Sequence, residues 1–247
     1  MSNSYFQFKQ FTIHQDRCAM KVTTDGCLFG AWVSEKIKNQ PFGKLRTKVK
    51  SVLDMGSGTG LLSLMLAQKN PNTIIDAIEI DKEAYEQAKE NIAASPWKDQ
   101  IDTINADAKT FSFTKKYDVI ISNPPFYENE LKSGSEKKNV AHHSSDLSLN
   151  DLFTITKNLL TEKGKFYFLF PYKRKEEIEK SLATHSLFIK GMTLVKQSTE
   201  HDYFRLMIEG GLEKSDDAIT KEISIRDSQQ QYTKEFTELL KDYYLNL

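Results

Sequence analysis

The chain has 247 residues, enough for one large domain or one domain with a small appendage, and it needs no covalent staples to build a core. A hydrophobic share of 39% beside 28% charged residues fits an ordinary globular protein, and no apolar run approaches the roughly 18 residues of a membrane span. With 34 basic residues against 34 acidic ones, the global field excludes a protein that coats nucleic acid, so any such substrate needs a local basic patch.

The first fifty residues form a prelude. Phe6, Phe8, Phe11 and Ile13 are strand-like, residues 14–17 turn, and Met20 and Val22 resume the strand. This start has neither a basic n-region nor an apolar h-region, so a soluble cytoplasmic protein is expected, with Cys18 and Cys27 as reduced thiols. Thr24 and Asp25 introduce a helix whose apolar side carries Leu28, Phe29, Trp32, Val33 and Ile37. From residue 51 onward short β-rich runs alternate with helical ones, the pattern of a mostly parallel sheet covered on both faces. Strands are predicted at 51–55, 73–80, 101–105, 117–122 and 165–171, with an amphipathic helix (Ala84, Tyr85, Ala88, Ile92) capped by Asp81. A charged helix over 174–184 leads to strands at 189–196 and 203–209, where Gly210 and Gly211 break the pattern. A strand at 221–226 and a helix carrying Phe236, Leu239, Leu240 and Tyr243 complete an ending that looks antiparallel. The one long irregular stretch, 127–148, is rich in Lys, Ser and Asn, as functional loops often are.

Four motifs carry chemistry. A hydrophobic strand ends at Asp54 and runs into Gly56, Gly58 and Gly60 before a helix, so a nucleotide-like ligand can approach the backbone and meet free N–H groups at the helix start. This spacing is one residue shorter than the dinucleotide fingerprint, and Asp54 would repel a phosphate but suit a cationic methionine amino group. Glu79, at the end of the next strand, is placed to accept from ribose hydroxyls, with Asp81 as a helix cap. Asp107 follows the third strand, where an adenine amino group could find a carboxylate. Asn123, Pro124, Pro125 and Phe126 end the fourth strand. Two prolines stiffen the loop, and the Asn123 amide oxygen and Pro124 carbonyl can both accept from one exocyclic amine, localising its lone pair. Phe126 can stack on a flipped base, a contact worth about 1–3 kcal/mol.

Candidate RNA contacts lie in three basic clusters: Lys44, Arg46, Lys48 and Lys50; Lys132, Lys137 and Lys138; and Lys173, Arg174 and Lys175. Each is equally readable as a solvated loop. No metal site is expected, since adjacent His142 and His143 point apart on regular backbone and no Cys or carboxylate cluster completes them.

At these motifs the chain resembles the class I S-adenosylmethionine-dependent methyltransferases that modify amino groups. More narrowly, it resembles the bacterial tRNA adenosine N6-methyltransferases acting beside the anticodon of a valine tRNA. Further pieces of the likeness are Phe8-Lys9-Gln10-Phe11, Asp16-Arg17-Cys18, Met20-Lys21-Val22, Thr24-Asp25-Gly26, Gly30-Ala31-Trp32, Asn91-Ile92, Ser95-Pro96-Trp97 and Tyr232-Thr233. The resemblance implies a doubly wound, mostly parallel, seven-stranded sheet of Rossmann-like type over 51–247, with residues 1–50 packing on the cofactor cleft. It implies that Asp54, Gly56, Gly58, Gly60, Glu79 and Asp107 bind S-adenosylmethionine, with Lys21, Thr24 and Asp25 folding over its methionine end. Asn123 would reach both cofactor and target, and Pro124, Pro125 and Phe126 would hold the target base. A tRNA substrate, methyl transfer to adenine N6, and a monomer without an obligate protein partner follow from the same likeness. Guanine N2 of ribosomal RNA and a glutamine amide of a protein factor remain alternative acceptors for the same loop. One departure concerns RNA: the family often has Ala-Arg where this chain has Ala141-His142-His143, so His142 would carry little charge at neutral pH.

Overall fold

A computed structural model describes residues 3–38, 50–124, 147–215 and 217–247. A hairpin of β1 (Tyr5–Gln7) and β2 (Thr12–His14) precedes the helix α1 (Thr24–Lys38). The alternating region then supplies β3 (Lys50–Met55), α2 (Leu61–Lys69), β4 (Thr73–Glu79), α3 (Lys82–Ala93), β5 (Ile101–Asn105) and β6 (Tyr117–Ser122). It continues with α4 (Leu149–Leu159), β7 (Leu160–Pro171), α5 (Lys175–Thr184), β8 (Phe188–Ser198), β9 (Tyr203–Gly211), β10 (Ile219–Arg226) and α6 (Lys234–Leu240).

The large sheet has the order β10-β8-β9-β7-β6-β3-β4-β5. Of these, β9 alone runs against the rest, because it pairs antiparallel with both β7 and β8 while the other neighbours are parallel. The antiparallel ending expected from the sequence is therefore a single strand. β10 adds an eighth strand to the seven expected, lying parallel along β8 from Ile219↔Gly191 to Arg226↔Ser198. All strand ends that follow the parallel direction open on one rim, which thus collects the residues after β3, β4, β5, β6, β7, β8 and β10.

Successive side chains of a strand point to opposite faces, and the core divides accordingly. Val52, Ile75, Val119, Ile121, Tyr167 and Met207 pack under α1, α2, α3 and α6. Leu53, Ile78, Ile120, Phe166, Phe168 and Ile208 pack under α4 and α5. The prelude belongs to the first of these cores: Phe8, Phe11 and Ile13 are buried in it beside the α1 residues Leu28, Phe29 and Val33. α1 lies directly on α2, and a Cβ at Gly30 would stand 2.6 Å from Met65 Sδ.

Two sequence expectations are corrected. Gly210 and Gly211 do not break β9; they lie inside it, because the Phe166 ring covers Gly210 so closely that a Cβ there would be 2.1 Å from Cζ. Met20 and Val22 do not resume a strand. Side chains of α3 hold the turn that precedes these two residues: Asn91 exchanges hydrogen bonds with both backbone groups of His14 at 2.9 Å, and Gln87 accepts from Arg17 N–H at 3.2 Å. Among the described residues no helix is long and apolar enough to cross a membrane.

Candidate active site

A cavity of about 390 Å³ opens on the carboxyl rim, within the range of small-molecule and cofactor sites. Its floor is the turn after β3, where Gly56, Gly58 and Gly60 adopt φ of 72°, 53° and 80° that side chains rarely allow. The glycines differ in task. A Cβ at Gly56 or Gly58 would meet nothing within 4 Å, so these two leave the space free, whereas a Cβ at Gly60 would press on Ile92 at 3.3 Å. Gly60 caps α2 against α3 and does not line the cavity.

The turn offers room more than it offers donors. The N–H groups of Gly56 and Ser57 donate to Ile78 O at 2.9 and 3.1 Å, that of Gly60 donates to Ser57 O at 2.9 Å, and that of Gly58 donates to Glu79 Oε2 at 2.9 Å. The N–H groups of the turn itself thus hold its shape and fix Glu79, and the helix that follows begins at Leu61. The second Glu79 oxygen accepts from Asp81 N–H at 2.9 Å, so the carboxylate is locked in one orientation with lone pairs left for a ligand. Burial raises its pKa despite those hydrogen bonds.

Asp54 lies beneath the turn. It is fully buried and does not line the cavity. Its Oδ2 accepts from Ser63 Oγ at 2.6 Å, tying β3 to the first turns of α2, while Oδ1 is buried with no hydrogen-bond partner. Burial pushes the carboxyl up to about 7, opposed by the Ser63 hydrogen bond and reinforced by the Glu79 charge. An unpaired buried acceptor below an open glycine turn suits a ligand that brings a cationic amine.

The remaining walls come from separate segments. Asp107 stands at the cavity edge, its Oδ1 taking Lys109 N–H at 2.9 Å. Lys21 lines the opposite side with its ammonium hydrogen-bonded to Gln15 O. Arg17, Cys18 and Met20 line the same wall and escaped the sequence reading, because the Met20 and Val22 alternation looked like a strand. Burial raises the Cys18 thiol to about 11, so it stays protonated at neutral pH. Asn123 and Pro124 project from the end of β6 into this cavity. The first turn of α1 approaches them, a Cβ on Gly26 lying 3.8 Å from Asn123 Nδ2.

The structure thus gathers Lys21, Gly56, Gly58, Glu79, Asp107, Asn123 and Pro124 around one space. It does not gather Thr24 and Asp25, which face away from that space into a second cavity, Asp25 being held by Arg205 Nε at 2.6 Å. Pro125, Phe126, Lys132, Lys137, Lys138 and His142 lie outside the described residues. So do Lys44, Arg46 and Lys48. Lys173 and Arg174 sit on the carboxyl rim after β7, where Arg174 makes a two-pronged pair with Glu177 at 2.7 and 2.8 Å. Lys50 is turned inward onto Ile37 O.

One cavity therefore carries two carboxylates, Glu79 and Asp107, on its walls and an open glycine turn above the buried Asp54 on its floor. The chain is also similar to proteins of known family. The profile described as "Methyltransferase small domain" matches residues 42–191. A protein of Christiangramia forsetii named tRNA1(Val) (adenine(37)-N6)-methyltransferase is 40% identical, with 100% of each chain covered. One of Dyadobacter fermentans with the same name is 39% identical over 98% of each chain. Among solved structures, a predicted O-methyltransferase from Agrobacterium tumefaciens is similar with a TM-score of 0.61, at 14% identity over 90% of this chain and 99% of that one. A putative RNA methyltransferase from Pyrococcus horikoshii gives a TM-score of 0.55, at 17% identity over 83% of this chain and 92% of that one. These distant structures bear on the fold alone. The profile match and the full-length relatives go further: the chain belongs to the methyltransferase small-domain family, in the group whose members are named tRNA1(Val) (adenine(37)-N6)-methyltransferase.

Proposed function

We propose that this chain transfers a methyl group from S-adenosylmethionine to the N6 amino group of an adenosine in tRNA, adenine 37 of a valine tRNA being the acceptor in its relatives' names. The observation that carries the proposal is the position of Asn123 and Pro124 on the wall of the cavity whose floor is the glycine turn. When bound, the cofactor supplies an electrophilic methyl carbon on a sulfonium. The protein's part is to hold and aim. Glu79, fixed by two backbone donors, takes the ribose hydroxyls, Asp107 takes the adenine edge, and the ionised form of Asp54 favours a cation over the turn.

At the acceptor, an aromatic amine is a poor nucleophile because its lone pair is delocalised into the ring. The Asn123 amide oxygen and the Pro124 carbonyl accept from its two N–H groups and draw the lone pair out of conjugation. The nitrogen forms one new bond to carbon as the carbon–sulfur bond breaks, and one N–H proton is then released to solvent. No general base is needed ahead of the transfer, since alignment of the reacting atoms supplies up to about 7–11 kcal/mol. An anticodon loop presents its bases unpaired, which lowers the cost of bringing one to the rim.

The test is incubation with radiolabelled cofactor and tRNA lacking the modification, followed by nucleoside analysis. Label is expected in N6-methyladenosine; label confined to guanosine or to protein refutes the proposal.

A further inference from the structure

A second cavity, also of about 390 Å³, opens on the other side of the first turn of α1. Helical geometry divides that turn between the two spaces: Thr23 and Gly26 line the first, Thr24 and Asp25 the second. The opposite wall comes from the ends of β8 and β10, with Ser198, Phe204, Arg226, Gln230 and Tyr232. Both strands end on the rim that carries Asn123, so the cavities are neighbours on one surface. Thr24-Asp25-Gly26 and Tyr232-Thr233, two motifs that the cofactor site leaves unused or only partly used, meet here.

The chemistry of the walls is planar and cationic. Tyr232 stacks on Phe236 with centroids 4.7 Å apart and an interplanar angle of 20°. Arg226 Cζ lies 4.3 Å from the Tyr232 centroid and so extends the column to the cavity, where the guanidinium also donates to Gln230 O. Asp25 contributes little net negative charge, because Arg205 pairs with it while lying over the Phe204 ring at 5.2 Å. Arg226 has no carboxylate partner among the described residues. A stacking column ended by an arginine, beside side-chain amides and a serine hydroxyl, is how single-stranded RNA bases are held.

We infer that this cavity is a subsite for the nucleotide adjoining the methylated one, its base stacked on the Arg226–Tyr232–Phe236 column. The inference rests on the RNA reading of the neighbouring cavity: a ligand that places one base at Asn123 and continues along the rim crosses the α1 turn and reaches Arg226. The Ser198 hydroxyl, hydrogen-bonded to His201 Nδ1 at 2.6 Å, lines this cavity together with Gln230, while Asp25 and Arg205 keep the dividing turn in place.

A double-mutant cycle tests this. The RNA is the anticodon stem-loop of a valine tRNA, intact or with an abasic residue on one or the other side of the target adenosine. Kd is read by fluorescence anisotropy and KM by methyl incorporation. At one of the two neighbours, removing the base should weaken the wild-type protein about 5- to 150-fold, the range for one stacked base. Arg226→Gln should lose a similar factor on intact RNA, lose nothing further on the abasic RNA, and keep its melting temperature and its affinity for S-adenosylhomocysteine. Arg226→Lys, which keeps the charge without the plane, should match Arg226→Gln. Independent, multiplying losses, full rescue by lysine, or no abasic effect on the wild type overturns the inference while methylation of RNA by the wild type leaves the functional proposal standing. A wild-type protein that methylates no RNA overturns both.

Discussion

If the proposed ammonium seat above Asp54 is right, cofactor binding should be sensitive to pH. Burial raises it to about 7, whereas in an unfolded chain an aspartate titrates near 3.9. Between those values the folded protein keeps a proton that the unfolded chain has shed. Folding stability is therefore complete below about pH 4, falls as pH rises to about 7 and then levels, a loss on the order of 4 kcal/mol at about 1.36 kcal/mol per pH unit. A cation seated above the turn reverses the preference, because it favours the ionised carboxylate and binding then expels the proton. About one-tenth of the carboxyl is ionised at pH 6 and about nine-tenths at pH 8, so affinity for S-adenosylhomocysteine, which carries the same ammonium, should fall about tenfold from pH 8 to pH 6. Titration calorimetry at pH 7 in phosphate and in Tris should report release of about half a proton. Asp54→Asn should flatten both the pH dependence of affinity and the loss of urea midpoint between pH 5 and 8. Equal affinities at pH 6 and 8 with buffer-independent heats would refute the reasoning.

Three other substitutions probe separate parts. Asn123→Ala should lower kcat by about two to three orders of magnitude, as loss of one fixed polar group at a reacting centre does, with S-adenosylhomocysteine affinity in calorimetry preserved; unaltered turnover counts against the amine-holding role. Glu79→Ala removes the carboxylate that Gly58 and Asp81 orient, and should weaken cofactor binding about 10- to 150-fold, the worth of a hydrogen bond to a charged group; an unchanged Kd would dismiss Glu79 as ribose ligand. Gly210→Ala drives a methyl into the Phe166 ring and should cost about 1–3 kcal/mol in denaturant unfolding, and a variant as stable as the wild type would mean the ring moves freely.

Local signals announced most of the nucleotide-binding half. The strands β3, β5 and β6 and the cap of α3 by Asp81 follow from periodicity and capping within a few residues. The glycine turn, Glu79, Asp107 and Asn123 converge because each ends a strand of the same direction, which the βαβ alternation already implied. What was hidden depended on partners far away in the chain. Met20 and Val22 alternate like a strand, yet their segment is held by Gln15, whose side chain takes Val22 N–H and whose carbonyl takes the Lys21 ammonium. Thr24 and Asp25 sit next to Gly26, and only the rotation of a helix decides that Gly26 faces the cofactor cavity while they do not. Gly210 looked like a breaker because the Phe166 ring that requires it lies 44 residues earlier on the paired strand. Asp54 was legible as an acid at the turn, but not as one with an unpaired oxygen under it.

The two ends of the described chain are fastened to each other. Phe8 bridges to Tyr244, Lys9 N–H donates to Tyr243 O at 2.8 Å, and the rings of Phe6, Phe8 and Tyr244 pack together. The clasp leads to the methyl-donor pocket in a few steps: β2 continues from it into Gln15, whose side chain accepts from Val22 N–H at 2.7 Å and whose carbonyl takes the Lys21 ammonium. Loosening Tyr244 therefore slackens a wall of the pocket from behind, and hydrogen exchange at Val22 would register damage done at residue 244.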